Sequence, residues 1–186
     1  MPVLQLQHVE AAAGDVLSRG GPLVAYDVAA ATATYAAGGA LTVERPGLQL
    51  VWSLVDSAAP DAVLSAEIDL QGEPHLVRCD RVDFPADGVA FLHTHQGPGI
   101  RCLVDGLFAV ETQGTRHEID RLGAWFEAGP DPVYAEVRGD QPAAFVRVMI
   151  LPQRLLGTPS IRYVRDEDRD RPKSQRYTIY VDEPLT

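Results

Sequence analysis

The chain has 186 residues, enough for one domain with a sizeable core, and its 46% hydrophobic content indicates a globular rather than a disordered protein. The formal net charge of −10 and the lack of a basic patch argue against nucleic acid as a partner. No apolar run approaches membrane-spanning length, and the N-terminus lacks a signal-peptide pattern. We therefore expect a cytoplasmic protein with no membrane partner.

Short apolar runs separated by Gly and Pro recur along the whole chain and predict β-strands. The first runs are LVAYDV (23–28), LTVE (41–44), LQLVWSLV (48–55) and AVLSAEIDL (62–70). The later runs are LVRCDRVDF (76–84), VAFLHTH (89–95), IRCLVDG (100–106), LFAVET (107–112), HEIDRLGAWFE, PVYAEV, AAFVRVMIL and RYTIYVDE. Weak helix signals occur at residues 8–18 and at a turn near 153–156, and 164–176 has the composition of a charged linker. Together these patterns predict an all-β, antiparallel sandwich or barrel.

The segment FLHTHQGPGIRCLVDG (91–106) holds the densest chemistry of the chain. Successive side chains of a strand point to opposite faces, so His93 and His95 share a face and Thr94 lies on the other. Two imidazoles so placed on a rigid strand can bind one metal ion with little ordering cost. The same pair could instead be two unrelated polar residues at the mouth of a barrel.

The sequence around this pair, DGVAFLHTHQGPGIRCLVDGLFAVET, resembles the first conserved motif of the cupin family. That motif contains a Gly, a His-x-His pair, a Glu a few residues on, and a Gly at the hairpin; the matching residues are Gly88, His93, His95 and Gly106. RLGAWFEAGPDPVYAEV occupies the place of the second cupin motif and matches it loosely through Gly123, Gly129 and Pro132. The resemblance covers roughly residues 70–152.

The resemblance implies a cupin-type antiparallel β-barrel or jelly roll whose inward-facing residues hold a metal and a small ligand. We expect one domain over residues 1–186, with a motif-bearing core at about 70–152. The N-terminal strands (1–69) and the C-terminal tail (153–186) should pack on that core. Such additions often cover a sheet edge, and in cupins they commonly support dimers, so we expect a homodimer.

Two positions depart from the family pattern: Gly99 stands where the Glu ligand is usual, and Val133 where the last His is usual. Glu127, in the apolar strand AWFEAG, is the best candidate third metal ligand, although it could simply be solvated at the strand end. Two histidines and one carboxylate would suit non-haem Fe(II), with Zn, Mn, Ni and Cu also open. The poorer candidates are Glu111, Glu136, His117, His8 and His75.

Arg101 shares the parity of the His pair if no bulge intervenes, and an inward arginine is costly unless it is paired. It could grip a substrate carboxylate or enolate, which would give it, with Glu127, a catalytic role. The alternatives are a salt bridge to Glu127 or Asp105, or a bulge at 97–99 that turns it outward. Three aromatic residues are candidate cavity walls: Trp125, Phe126 and Tyr134.

Two classes of function follow. The first is a metalloenzyme, such as a dioxygenase, lyase or isomerase, that acts on a small, possibly anionic metabolite. The second is a non-catalytic cupin that binds a small molecule and has lost the usual metal site. The two cysteines, Cys79 and Cys102, form no metal or redox motif and are expected to be buried, reduced thiols.

Overall fold

A computed structural model describes residues 1–185 and contains seventeen β-strands and two 3₁₀ turns, so Thr186 at the end of the tail lies outside the described residues. The strands are β1 Val3–Ala11, β2 Val16–Ser18, β3 Leu23–Asp27, β4 Thr32–Ala36, β5 Ala40–Thr42, β6 Gly47–Val55, β7 Leu64–Glu67, β8 His75–Phe84, β9 Val89–His95, β10 Gly99–Asp105, β11 Phe108–Thr112, β12 Thr115–Ile119, β13 Ala124–Glu127, β14 Val133–Val137, β15 Ala143–Pro152, β16 Ile161–Tyr163 and β17 Arg176–Pro184. The 3₁₀ turns are Gln153–Leu155 and Asp166–Asp168. The turn predicted near 153–156 is thereby confirmed.

The strands form three five-stranded antiparallel sheets and one two-stranded flap. The first sheet has the order β4-β3-β6-β1-β7, and the flap pairs β2 with β5. The second sheet has the order β13-β10-β15-β8-β17, and the third has the order β12-β11-β14-β9-β16. From β8 to β17, consecutive strands mostly alternate between the second and third sheets, which is a jelly-roll arrangement.

The second sheet is the middle of three packed layers. One core cluster joins first-sheet residues such as Leu6 and Trp52 to second-sheet residues such as Val146. Another joins Phe145 of the second sheet to Phe108 of the third. The ten residues of β15 are all buried, and from Ala143 to Val146 their side chains alternate between these two cores. Met149 and Leu151 pack in a separate small cluster with Leu76 and Leu155.

Residues 8–18 are not helical, so the weak helix signal there was wrong. Strand β1 pairs with β6 along its full length and with β7 over part of it. Leu4 and Leu6 lie on one face of β1 and are buried in the core, as the two-residue period of a strand requires. The predicted C-terminal strand is present as β17 and packs on the body by pairing with β8.

Cys79 and Cys102 are free and fully buried in the core between the first and second sheets, which confirms the prediction of buried thiols. Burial raises the pKa of Cys102 to about 12 and that of Cys79 well above its usual value. Both side chains are therefore protonated thiols at neutral pH. No helix within residues 1–185 is long and apolar enough to cross a membrane.

Candidate functional site

His93 and His95 lie on β9 and point together into the space between the second and third sheets. Their side chains are 6% and 4% exposed, and their Nε2 atoms are 3.2 Å apart. The rings stand nearly perpendicular, with an interplanar angle of 83°. The parity argument from the sequence is thus confirmed, and the pair is enclosed rather than at an open rim.

The contacts of the two rings decide which nitrogen of each ring carries the proton. His93 Nδ1 lies 2.7 Å from the Phe91 carbonyl oxygen, which can only accept a hydrogen bond. In the neutral ring the proton is therefore on Nδ1, and Nε2 carries a lone pair that faces the site. His95 Nδ1 lies 3.4 Å from Ser160 Oγ, which can serve in the same way.

Burial keeps both imidazoles uncharged. Desolvation lowers the pKa of His93, although the Glu127 carboxylate partly opposes this effect. The pKa of His95 is well below its usual value because of burial and then of the Arg147 and Arg101 guanidinium groups. Neutral imidazole is the form that binds metals.

Glu127 reaches the pair from β13 in the opposite sheet, and its side chain is 6% exposed. Its Oε1 accepts a hydrogen bond from Trp125 Nε1 at 2.8 Å. Its Oε2 lies 3.6 Å from His95 Nε2. The carboxylate therefore faces the cavity and is not solvated at the strand end, which was the alternative left open by the sequence.

Arg101 contacts Glu127 directly. Its Nη2 lies 2.6 Å from Glu127 Oε2, and its Nη1 donates to the Gly99 carbonyl oxygen at 2.6 Å. Arg101 Nη2 and Glu127 Oε2 lack the alignment of a good hydrogen bond, so this contact is mainly an ion pair. Burial lowers the pKa of Arg101 to about 10, and Glu127 opposes that shift, so the guanidinium stays charged at neutral pH. Of the sequence alternatives, the structure shows the inward arginine paired with Glu127.

Two further charged residues, Asp80 and Arg147, belong to the site and were not singled out from the sequence. Arg101, Arg147 and Asp80 stand directly opposite one another on the neighbouring strands β10, β15 and β8. Arg147 Nε and Nη2 donate to the two Asp80 carboxylate oxygens at 2.7 and 3.1 Å. Arg147 Nη1 lies 3.4 Å from His95 Nε2. The sequence signal for Arg147 was a lone arginine within the apolar run AAFVRVMIL.

A small cavity lies in front of these groups, and His93, His95, Glu127 and Arg147 reach its surface, whereas Arg101 does not. Its free space is about 20 Å³, the room of one or two water molecules. The other lining residues are Val82, Phe84, Ala90, Phe108, Trp125, Val133, Ala135, Phe145 and Tyr177.

Only Trp125 of the three expected aromatic walls faces the cavity. Phe126 points to the opposite face of β13 and packs in the core between the first and second sheets, as strand alternation requires. Tyr134 also points away from the cavity, and its hydroxyl donates to Glu136 Oε2 at 3.0 Å. The expectation for Phe126 and Tyr134 was therefore wrong.

The two departures from the cupin pattern have clear structural consequences. Gly99 is opposite Glu127 in the sheet, and a Cβ there would lie 2.7 Å from the Val148 carbonyl oxygen and 2.8 Å from Met149 Cγ. No larger residue fits without movement. Val133 pairs with His93 across the β9–β14 ladder and presents only an apolar side chain.

The poorer candidate ligands lie elsewhere. Glu111 and His117 are exposed on the third sheet, and Glu136 forms an ion pair with Arg116 at 2.7 Å on the same sheet. His8, on β1, lies 3.6 Å from Cys102 Sγ, and His75 begins β8. None of these five residues reaches the cavity.

Two of the three spacings among the donor atoms of His93, His95 and Glu127 are near those of ligands on one metal ion, whereas in the described part of the chain His93 makes no ion-pair contact with Glu127. Ligand atoms about 2.1 Å from an ion lie roughly 3.0–3.5 Å apart in tetrahedral or octahedral geometry. The observed spacings of 3.2 Å and 3.6 Å are close to this range. Within residues 1–185, no three His, Cys, Asp or Glu side chains are already gathered as a complete metal site. The imidazole pair is preformed, whereas the carboxylate is engaged by Arg101.

Comparison with known proteins adds evidence on the fold. No protein-family model and no curated protein matches the chain. The structure of AerE from Microcystis aeruginosa matches at 8% identity with a TM-score of 0.53, over 81% of this chain and 88% of AerE. Oxalate oxidase in complex with the substrate analogue glycolate matches at 19% identity with a TM-score of 0.42, over 52% of each chain. This chain thus spans about half the length of the oxalate oxidase.

A third match is salicylate 1,2-dioxygenase from Pseudoaminobacter salicylatoxidans with gentisate, at 7% identity and a TM-score of 0.47. It covers 96% of this chain and 68% of the dioxygenase. At these identities the likenesses bear on the fold alone. The chain has an antiparallel jelly-roll fold, which is the architecture that the cupin resemblance of its first motif implied.

Proposed function

We propose that this protein is a cupin-fold metalloenzyme that acts on a small anionic metabolite. In this proposal His93 Nε2, His95 Nε2 and Glu127 Oε2 hold one divalent metal ion. Two histidines and one carboxylate with open positions favour Fe(II), with Zn, Mn, Ni and Cu as the other candidates. The ion would polarise an oxygen atom of the bound metabolite, as a dioxygenase, lyase or isomerase requires.

The observation that carries the proposal is the facing pair of Nε2 atoms 3.2 Å apart. The Phe91 carbonyl fixes the proton of His93 on the far side of the ring. When His95 also carries its proton on Nδ1, the two Nε2 lone pairs face each other and repel unless a cation lies between them, whereas a proton on His95 Nε2 makes a hydrogen bond to His93 Nε2. A metal ion would bind both Nε2 atoms at once. The Nδ1 contacts to the Phe91 carbonyl and the Ser160 hydroxyl would then hold the two rings in orientation.

The charges of the site support an anionic ligand. Arg101 and Arg147 are balanced by Asp80 and Glu127, so the enclosed cluster is neutral when the imidazoles are neutral. A divalent ion would add two positive charges to a buried site, and an anionic ligand would offset them. Carboxylates match the planar guanidinium of arginine, which binds them through two parallel hydrogen bonds.

We assign the contact with this anion to Arg147 and the positioning of Glu127 to Arg101. Arg147 lines the cavity and is held by Asp80, whereas Arg101 lies behind Glu127 and is 1% exposed. The role that the sequence suggested for Arg101 is thus divided between the two arginines. A metabolite is larger than the free space of about 20 Å³, so a side chain of the cavity wall has to move before the metabolite can bind. Tyr177, which is 45% exposed, is the most exposed residue of the cavity wall and is the one we expect to move.

Metal analysis of His93→Ala and His95→Ala tests the metal site. Protein purified without added metal should contain close to one equivalent of a divalent ion, and each variant should lose most of it because two remaining ligands bind weakly. The circular dichroism of each metal-free variant should match that of the metal-stripped wild type, which would show that the fold is intact. His117→Ala, a change of the same type on the exposed face of β12, is the control and should keep its metal. Full occupancy in both site variants would place the metal elsewhere.

The second candidate function is a metal-free cupin that binds a small molecule without catalysis. The 2.6 Å contact of Glu127 with Arg101 and the apolar Val133 beside His93 favour it, because both remove potential ligands. Metal loading separates the two functions. A wild-type protein that is purified without metal and resists loading by Fe(II), Zn(II) and Mn(II) supports the second candidate and contradicts the first.

A further inference from the structure

Three buried glutamines lie on the outer face of the first sheet, the face turned away from the second sheet. Gln5 and Gln7 are on β1 and Gln49 is on β6, and all three are at most 4% exposed. Gln5 has both ends of its amide satisfied: Nε2 donates to Ser53 Oγ at 3.0 Å, and Oε1 accepts from the Ala59 N–H at 2.7 Å.

Gln7 is satisfied in the same way. Its Nε2 donates to Asp61 Oδ1 at 2.7 Å, and its Oε1 accepts from Arg19 Nε at 2.5 Å. Gln49 differs, because its Nε2 is buried and has no hydrogen-bond partner among residues 1–185. A buried amide donor without a partner costs free energy, so it calls for an explanation that the other two glutamines do not need.

Gln49 is one of the residues that line a polar cavity of about 80 Å³, which has room for several water molecules or a small ligand. Asp27 stands directly opposite Gln49 in the sheet, and Thr32 stands opposite Asp27. The segment 41–45, which begins in the flap, forms the other side of the cavity. The remaining lining residues are Ala25, Thr34, Leu41, Thr42, Val43, Glu44 and Arg45.

The lining groups define the chemistry of a ligand. Gln49 Nε2 needs an acceptor, which a bare cation cannot provide. Asp27 and Glu44 disfavour an anion, and neither they nor Arg45 form an ion pair within residues 1–185. A hydroxyl group meets both demands, because it accepts from the amide and donates to a carboxylate.

We propose that this cavity is a second binding site, for a small neutral polyhydroxylated molecule such as a monosaccharide or polyol. One hydroxyl oxygen of the ligand accepts from Gln49 Nε2, and a neighbouring hydroxyl donates to the Asp27 carboxylate. The threonine hydroxyls of the wall supply further hydrogen bonds. The site lies on the first sheet, separated by the second sheet from the histidines of the third, and it is independent of any metal there.

Ligand-observed NMR and isothermal titration calorimetry with D-glucose, D-mannose and glycerol test the proposal. At least one probe should bind the wild-type protein, and Gln49→Leu should weaken that binding about tenfold or more. Gln141→Leu, on an exposed turn, is the matched control and should bind as the wild type does. Thr34→Val, which removes a hydroxyl from the cavity wall, is the second variant if Gln49→Leu fails to fold.

Stability measurements without ligand distinguish Gln49, whose amide donor is unpaired within residues 1–185, from Gln5, whose amide makes hydrogen bonds within the fold. Gln49→Leu should melt no lower than the wild type because it removes an unpaired donor, whereas Gln5→Leu should melt lower because it leaves Ser53 and Ala59 unpaired. Failure of all three probes to bind the wild type at the highest soluble concentration overturns the proposal and leaves ordered water as the partner of Gln49. Equal binding by Gln49→Leu and the wild type also overturns it.

Discussion

At the scale of single residues, the site depends on four charged side chains enclosed between the second and third sheets. Arg101, Arg147, Asp80 and Glu127 are each at most 7% exposed. Burial of an isolated charge is very costly, and pairing with an opposite charge offsets that cost. Each acid here has an arginine partner, so the groups are held in place before any ligand binds.

The Arg101–Glu127 contact leads to a prediction for Glu127→Gln. If Glu127 is a metal ligand, the variant should bind the metal at least about tenfold more weakly, because an amide oxygen is a poorer and neutral ligand. Arg101→Lys should retain the metal, since the carboxylate remains. Metal content and melting temperature, measured side by side, check both outcomes. Glu136→Gln, which alters a surface carboxylate paired with Arg116, is the control.

A purely structural role for this pair predicts a different result. Removal of either partner would leave the other charge buried and unpaired, at a cost of about 3–5 kcal/mol of unfolding free energy. Glu127→Gln would then melt far below the wild type, and Arg101→Lys, which keeps a positive charge beside Glu127, would melt less far below it, while the metal content stayed unchanged in both. That combination would contradict the ligand role proposed for Glu127.

At the scale of strands, β10 packs so closely against β15 at Gly99 that a larger residue does not fit there without movement. A Cβ on Gly99 would meet the backbone of Val148, which cannot yield as a flexible side chain can. Strand β10 therefore carries no carboxylate at this position, and the carboxylate that faces the cavity is that of Glu127 on the neighbouring strand β13.

We expect Gly99→Ala to lower the free energy of unfolding by about 1–3 kcal/mol, the usual cost of overpacking a dense core. Gly20→Ala is the matched control, because a Cβ at Gly20 would meet nothing within 4 Å. The control should change stability by less than about 0.5 kcal/mol. Chemical denaturation of the three proteins provides the comparison, and equal stability of all three would show that β15 moves to make room.

At the scale of the whole molecule, the N-terminal strands and the C-terminal strand cover two different parts of the second sheet. The first sheet covers one face, and β17 covers the β8 edge. Strand β17 then becomes the edge itself, and it exposes Tyr177 and Ile179, which are 45% and 54% exposed. A long edge strand with exposed apolar side chains favours pairing with another chain.

We therefore predict a two-fold homodimer that pairs through β17. Sedimentation should show a species of about twice 20.2 kDa at micromolar concentration. Ile179→Lys should shift the protein toward the monomer, because a lysine on an edge strand opposes pairing. Val63→Lys, at a residue that is 45% exposed outside β17, should leave the dimer intact. A wild-type protein that sediments only as the monomer would rule the dimer out.

The local features of this protein were determined by its sequence. Apolar runs between Gly and Pro predicted most strands, and the two-residue period of a strand placed His93 and His95 on one inward face. The same period could have separated Trp125 from Phe126, which lie on opposite faces of β13. The segment 8–18, which holds the end of β1 and all of β2, was mistaken for a helix, and the short strands β4 and β16 were not predicted.

The tertiary structure alone decided which groups meet at the site. Glu127 comes from a strand in the opposite sheet, and Asp80 meets Arg147 from 67 residues away. Whether Arg101 faces a ligand or pairs with Glu127 depends on the register of β10 against β13. Register and sheet packing arise from contacts between distant parts of the chain. No short stretch of sequence contains them, and so the histidine pair was predictable whereas its partners were not.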